Sequence, residues 1–434
     1  MTTTEAKTGT EFARPTNIRW LGAILVFFVS LVCYLDRLVF SVNASPIMQS
    51  LSITPVQYGM IISVFSIGYF VVQLPGGMLT QYLGTRLVVA ASLVVWSVFT
   101  ALTGVVNSLT GMYIVRFFFG VSEAPVFPAA NQFFADWLAK GERGRGTALM
   151  NGGCYSANIF GPPLVVSIVT VVGWQGSFFA CGVLGILIAS TWYVYMRTRP
   201  AEHPAVNAQE LAIIAESAAV ATEGAKVKIP WAFLLRQRSF WGVALGGFGT
   251  LWNVQFFNYW LPYYLQAAKG LSFKDMGYYT AVPWIFIVVA VFTSGTLSDF
   301  LIKKGLPRFW ARNMVCVTGL GLSAIALIAS TYAEAVVANI LWLSLALGMA
   351  GVAQTLMWAI MTEIGQQLTS VVSSWMNTWG FIAATIVPTA APIIARDYGW
   401  NQVLIMNALV MVIGITGFLM IKTERPLYEP KQSL

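Results

Sequence analysis

Charge is scarce in this chain. Of 434 residues, 10% are Asp, Glu, Lys or Arg and 57% are hydrophobic, for a mean hydropathy of +0.71. A soluble globule has about a quarter of its residues charged, so that class is excluded. Cysteine is sparse as well. Cys33, Cys154, Cys181 and Cys316 are scattered through apolar stretches without metal-ligand spacing, which argues against a disulfide framework and a zinc site. One histidine, His203, stands alone in a polar stretch. The run Gly246-Gly247-Phe248-Gly249 lacks a preceding strand and a Gly-Lys-Ser/Thr motif, so it reads as close helix packing rather than a phosphate cradle. No nucleotide site, metal or cofactor is expected, nor any enzyme activity, and an ATP-driven pump is set aside. A cleavable signal peptide is not expected either, because Met1 to Arg19 are polar and the first apolar run is too long for one.

What the chain does have is long apolar runs. About 20 apolar residues span a bilayer as a helix. Twelve such runs are present, at roughly 20–43, 57–80, 86–106, 109–134, 145–172, 175–196, 239–265, 276–302, 310–330, 334–360, 367–396 and 400–421. The fold class is therefore an all-α membrane protein of twelve transmembrane helices in two six-helix halves. The domains are 1–196, a cytoplasmic central loop at 197–238, and 239–434. Within the loop, Asn207–Ala221 is rich in Ala and Glu and is expected to form a short surface helix.

The net charge of +8 follows topology rather than nucleic-acid binding. With the N-terminus inside, 20 of the 25 Lys and Arg fall in cytoplasmic segments, among them Lys7, Lys226, Lys228 and Lys431. The positive-inside rule places both termini in the cytoplasm, as expected for a multi-pass protein of the bacterial inner membrane. The expected partners include the lipid bilayer and no nucleic acid, and a monomer is expected.

Four ionisable residues sit inside otherwise apolar runs: Asp36 and Arg37 in span 1, Arg116 and Glu123 in span 4. Such residues are costly in lipid and mark pairs or water-filled paths. Asp36 lies seven residues before the outer end of span 1, and Arg116 seven residues after the outer start of span 4. At 1.5 Å per residue both lie about 10 Å below the outer surface, so an Asp36–Arg116 ion pair is expected. Glu123 lies two turns deeper on the same face as Arg116. Arg37 is then left without an acidic partner, and its fork suits a substrate carboxylate. Glu123, stripped of water near the midplane, is a candidate proton carrier. The alternative is a static network tying spans 1 and 4 together.

Uncharged polar residues add candidate substrate contacts: Tyr69 and Gln73 on span 2, Tyr155, Ser156 and Asn158 on span 5, and Asn253, Gln255, Asn258 and Tyr259 on span 7. Gln354 and Thr355 lie on span 10, and Ser374 and Asn377 on span 11. Tyr69, Tyr259 and Asn377 are the leading candidates. Each reads equally as interhelical glue worth about 1 kcal/mol.

A weak internal echo supports duplication. Gly77-Met78-Leu79-Thr80-Gln81 follows span 2, and Gly295-Thr296-Leu297-Ser298-Asp299 stands at the same place in the second half. The second copy resembles the Gly-x-Leu-x-Asp loop signature of the major facilitator superfamily. The first departs from it, with Gln81 and Tyr82 where an acidic and a basic residue are usual, so Asp299 is the residue left to serve a charge-based latch. Further motifs are Tyr34-Leu35-Asp36-Arg37, Gln73-Leu74-Pro75-Gly76-Gly77, Gly161-Pro162-Pro163, Asn258-Tyr259-Trp260-Leu261-Pro262 and the stretch from Arg116 to Pro128. Through these the chain resembles the anion:cation symporter family of sugar-acid and aromatic-acid permeases, sialic acid carriers and vesicular glutamate carriers. That resemblance implies a substrate role for Arg37 and proton roles for Asp36 and Glu123. The expected activity is proton-coupled symport of an organic anion by alternating access. The rivals are an exchanger or exporter without net proton coupling, and a membrane receptor that does not transport.

Overall fold

Twelve apolar runs become twelve helical spans because lipid offers the backbone no hydrogen-bond partners and a helix satisfies its own. The computed structural model describes residues 14–219 and 230–428. Lys7, Lys226, Lys228 and Lys431 lie outside those residues, as do the last two positions of the expected surface helix; the helix itself spans Ala208–Ala219. Span 1 is Ile18–Val42, span 2 Pro55–Leu83, span 3 Thr85–Thr103, and span 4 is made of Leu109–Glu123 and Val126–Trp137. Spans 5 and 6 form one element, Arg143–Tyr195, bent at Gly173. Its φ of 75° and ψ of 173° belong to a region that glycine reaches at little cost.

Span 7 is Arg238–Tyr259 followed by Leu261–Ala267, and span 8 is Phe273–Lys303. Span 9 opens with a π-turn, Phe309–Asn313, before Met314–Thr331. Spans 10, 11 and 12 are Val336–Gly365, Thr369–Tyr398 and Trp400–Met420. The end carrying the 197–238 connection is called basal below, and the opposite end distal.

Local sequence sets the boundaries. Span 2 begins with a reciprocal cap: Thr54 Oγ1 accepts from Gln57 N at 3.2 Å, and Gln57 Oε1 accepts from Thr54 N at 2.8 Å. Spans 4 and 7 are both interrupted, at Ala124-Pro125 and at Trp260, two residues before Pro262, because proline cannot donate the i→i−4 hydrogen bond. Glu123 and Tyr259 each end the first piece of their span.

Within the halves, span 1 packs on spans 5 and 6, span 2 on span 4, and span 7 on spans 11 and 12. Glycine brings spans 2 and 4 together: a Cβ on Gly120 would stand 2.3 Å from the carbonyl oxygen of Phe65. Between halves, span 2 packs on span 11, and Gly277 of span 8 lies against Pro162 and Val166 of span 5.

Two basal charge clusters finish the architecture. Arg19 reaches Glu142 at 3.0 Å and Glu210 at 3.1 Å, clamping the Ala208–Ala219 helix onto the first half. In the second half Arg312 pairs with Asp299 at 2.9 Å and Glu363 at 3.2 Å. Asp299 therefore takes part in a charge cluster wholly within its own half.

Candidate functional site

Arg37 and Glu123 meet. The guanidinium Nε donates to Glu123 Oε1 at 3.0 Å and Oε2 at 3.2 Å. Glu123 is fully buried, and the Arg37 side chain keeps 19% of its surface. This corrects the expectation that Arg37 has no acidic partner. The reason is the lean of helical side chains toward the N-terminus of their own helix. Span 1 runs toward the distal end, so Arg37 leans basally; span 4 runs the other way, so Glu123 leans distally. The two long side chains close the depth difference that their Cα positions imply. Cys33, one turn before Arg37 on the same face, donates its thiol to Glu123 Oε1.

Aromatic rings frame the guanidinium. Arg37 Cζ lies 5.1 Å from the Tyr34 ring centroid, 5.3 Å from that of Phe65 and 5.0 Å from that of Tyr69, distances at which a cation is attracted to the ring face. Tyr69 in turn stacks on Phe381 of the second half, with centroids 5.1 Å apart. Arg37 also lines a cavity with Tyr34, Leu38 and Asn158 of the first half and Gln255, Asn258 and Tyr259 of the second. Its free volume of about 40 Å³ holds a few waters and leaves no room for a six-carbon acid. Asn258 Nδ2 donates to Gln255 Oε1 at 3.0 Å.

Asp36 and Arg116 do not meet, which corrects the expected ion pair. Asp36 is fully buried and accepts from the Trp96 indole Nε1 at 2.9 Å, while its Oδ1 has no protein partner. Arg116 is 2% exposed, and its Nε and Nη1 have no hydrogen-bond partner. Its guanidinium sits 4.3 Å from the ring centroids of both Phe40 and Phe119. Neighbouring residues on a helix point about 100° apart, so with Arg37 turned to span 4, Asp36 turns to span 3. Equal depth did not make equal azimuth.

The remaining candidates divide. Asn158, Gln255, Asn258 and Tyr259 come to the cavity. Tyr69 touches Arg37 from the side. Asn253 donates to Ser323 inside the second half at 3.4 Å, and Asn377 is half-buried on span 11 without lining the cavity. Sequence reasoning missed Trp96 and gave Cys33 no role at the site; the i, i+4 spacing of Cys33 and Arg37 was the available signal.

Hydrogen bonds that join the halves, among the described residues, all lie distal to the cavity or level with it. Ser41 Oγ donates to the Tyr259 carbonyl at 3.1 Å, and Ser45 Oγ to Gln266 Oε1 at 2.6 Å. Ser63 Oγ donates to the Thr385 carbonyl at 2.7 Å and Ser66 Oγ to the Ala384 carbonyl at 3.1 Å. Pro388 and Pro392 explain two acceptors on span 11. Lacking N–H groups, they leave the carbonyls of Ala384 and Pro388 without their helical donors. Ser66 takes the first, and Trp260 Nε1 takes the second at 3.1 Å.

Comparison with known proteins agrees with this architecture. The chain matches the family model of the Major Facilitator Superfamily over residues 26–388. It is 30% identical over 421 residues to a probable L-galactonate transporter of Escherichia coli strain K12, covering 96% of this chain and 92% of that one. It is 29% identical over 430 residues to a probable galactarate/D-glucarate transporter of Bacillus subtilis strain 168, covering 95% and 93%. Among solved structures, a bacterial homolog of the human lysosomal transporter Spinster, inward-facing and unoccupied, aligns with a TM-score of 0.77 at 15% identity. That alignment covers 96% of this chain and 100% of the other.

Proposed function

Because the chain belongs to the Major Facilitator Superfamily, we propose that it is a carrier that moves an organic anion of the sugar-acid type across the bacterial inner membrane together with protons. It is a transporter, not an enzyme. The observation carrying the coupling is the contact between Arg37 and Glu123. The Glu123 carboxylate takes the Nε donor of Arg37 and balances its charge, so a substrate carboxylate meets a guanidinium already neutralised by its neighbour. While Glu123 is ionised it occupies Arg37; once protonated it gives up most of the electrostatic attraction, and Arg37 turns its fork to the substrate. Proton and anion then enter as a pair. Asp36, buried and with Oδ1 lacking a protein partner, is the second proton site.

Substrate class follows from the cavity wall. Asn158, Gln255, Asn258 and Tyr259 beside Arg37 offer amides and a phenol to several hydroxyls, as a polyhydroxy acid requires. The relatives named for L-galactonate and for galactarate/D-glucarate transport support the same class.

Transport proceeds by rocking of residues 1–196 against 239–434 around this site. The positive-inside rule puts the basal end, with both termini, in the cytoplasm. The serine contacts of spans 1 and 2 with spans 7 and 11 are then the outer closure, and the cavity opens inward when substrate leaves. The test is uptake of a labelled hexonate into liposomes holding the purified chain. Accumulation should follow an imposed pH gradient and collapse when a protonophore removes it. Uptake indifferent to pH would favour an exchanger, and no flux at all a receptor.

A further inference from the structure

On the lipid-facing side of the first half, far from the cavity, a groove of about 390 Å³ runs between spans 3 and 6. It is lined by Ala90, Ala91 and Val95 of span 3 and Ala189, Ser190 and Tyr193 of span 6. Small side chains leave the furrow, and Tyr193 stands half-exposed at its basal end. From position 87 to position 95 the groove follows span 3 for roughly 12 Å at 1.5 Å per residue.

Its basal rim is cationic. Arg86 donates Nε to the Tyr193 carbonyl at 2.9 Å and lies 4.3 Å over the Tyr193 ring. The Arg86 carbonyl accepts from Trp192 Nε1 at 3.1 Å, which fixes that segment to span 6. Arg197 donates one Nη to the Val194 and Met196 carbonyls, each at 2.9 Å. Thr198 packs against Gly84, so both arginines belong to one junction. Neither forms an ion pair among the described residues, and the sequence has no acid between positions 80 and 95 or between 185 and 199. Two uncompensated guanidinium groups thus stand at the membrane-interface end of an apolar furrow.

The geometry points to a binding site for one anionic phospholipid, with an acyl chain along the groove and the phosphate held by Arg86 and Arg197. A neutral annular lipid would use the furrow but leave both charges unanswered. The carbonyl contacts engage Arg86 through Nε and Arg197 through one Nη, leaving the other N–H groups to meet phosphate oxygens. Basic pockets between spans at the cytoplasmic side suit such headgroups. This site is independent of the transported substrate.

The test uses the full chain in mixed phosphatidylglycerol and phosphatidylcholine of matched acyl chains, with native mass spectrometry counting retained lipid. One phosphatidylglycerol should be retained per chain in preference to phosphatidylcholine. Arg86→Gln should weaken that retention roughly fivefold, the worth of one basic residue at an anionic surface, and Arg86→Gln with Arg197→Gln should abolish the preference. Ala91→Trp, at an exposed position, should fill the furrow and displace the lipid while leaving thermal unfolding unchanged. Equal retention of the two lipids, or retention unchanged in the arginine variants, would overturn the assignment. So would full displacement by glycerol 3-phosphate, which would mark a headgroup site without a chain groove.

Discussion

Arg37 Nε lies 3.0 Å from Glu123 Oε1, a contact made between a residue on a helix running toward the distal end and one on a helix running toward the basal end. Their side chains lean toward each other because each leans toward its own N-terminus. A guanidinium so placed is already engaged by a carboxylate of its own chain, and in the proposed mechanism its release is the step on which binding depends.

Arg37→Lys keeps the charge and loses the planar fork. Substrate affinity should fall at least roughly tenfold, the loss of one charge-assisted hydrogen bond. Isothermal titration with the best hexonate checks it. Near-normal affinity would remove Arg37 from the substrate site.

Asp36 should be coupled energetically to Trp96 and not to Arg116. A double-mutant cycle of Asp36→Asn with Trp96→Phe is expected to give a stability coupling of at least about 0.5 kcal/mol. The cycle of Asp36→Asn with Arg116→Gln should be additive within about 0.5 kcal/mol. Thermal or denaturant unfolding in detergent is the readout, because transport would fail for other reasons.

Ser63→Ala with Ser66→Ala removes three hydrogen bonds that close the distal side, because Ser63 Oγ also pairs with Thr389 Oγ1 at 2.8 Å. At about 1 kcal/mol each, the closed population should fall by roughly tenfold or more relative to the open one. A cysteine introduced as Gln266→Cys, next to Ser45, should then react several-fold faster with a membrane-impermeant maleimide. An unchanged rate would mean that apolar packing alone holds this side.

The basal clamp gives an acid dependence. The Arg19 hydrogen bond holds the Glu142 carboxyl below its usual value. At Glu210 burial pushes upward, and hydrogen bonds from Thr16, Arg19 and Ile18 outweigh it to leave a net lowering. Native values below unfolded ones stabilise above the ordinary glutamate value of about 4.3, and that contribution is lost as pH falls through the lowered native values. Glu142→Gln with Glu210→Gln should lower stability at pH 7 and flatten the loss below pH about 4.3, measured by thermal unfolding. An acid profile identical to the parent would refute the clamp. Faster protease cleavage within 197–238 is the companion readout.

Span number, the two halves and the membrane class were legible because hydropathy over about 20 residues reports them directly. Arg37, Glu123 and the amides of Asn158, Gln255 and Asn258 were legible as polar groups where lipid tolerates few. The pairing was not. Depth can be counted along a helix, and by depth Asp36 suits Arg116. Azimuth depends on how spans 1, 3 and 4 are rotated, and that is set by packing such as the Gly120–Phe65 approach. Trp96 stayed hidden for the same reason: an indole in an apolar span looks like lipid-facing bulk until its N–H is seen against Asp36. Pro388 was visible, but its effect, a carbonyl offered across the interface to Ser66, needed the facing helix.

Glu123→Gln tests the central claim most directly. The amide imitates the protonated acid and cannot titrate. In proteoliposomes the variant should still exchange external labelled hexonate for internal unlabelled hexonate, and it should fail to concentrate substrate under an inwardly directed pH gradient that drives the parent. Gradient-driven accumulation at the parental level by Glu123→Gln would contradict the account, since the carboxyl that competes for Arg37 would then have no part in coupling.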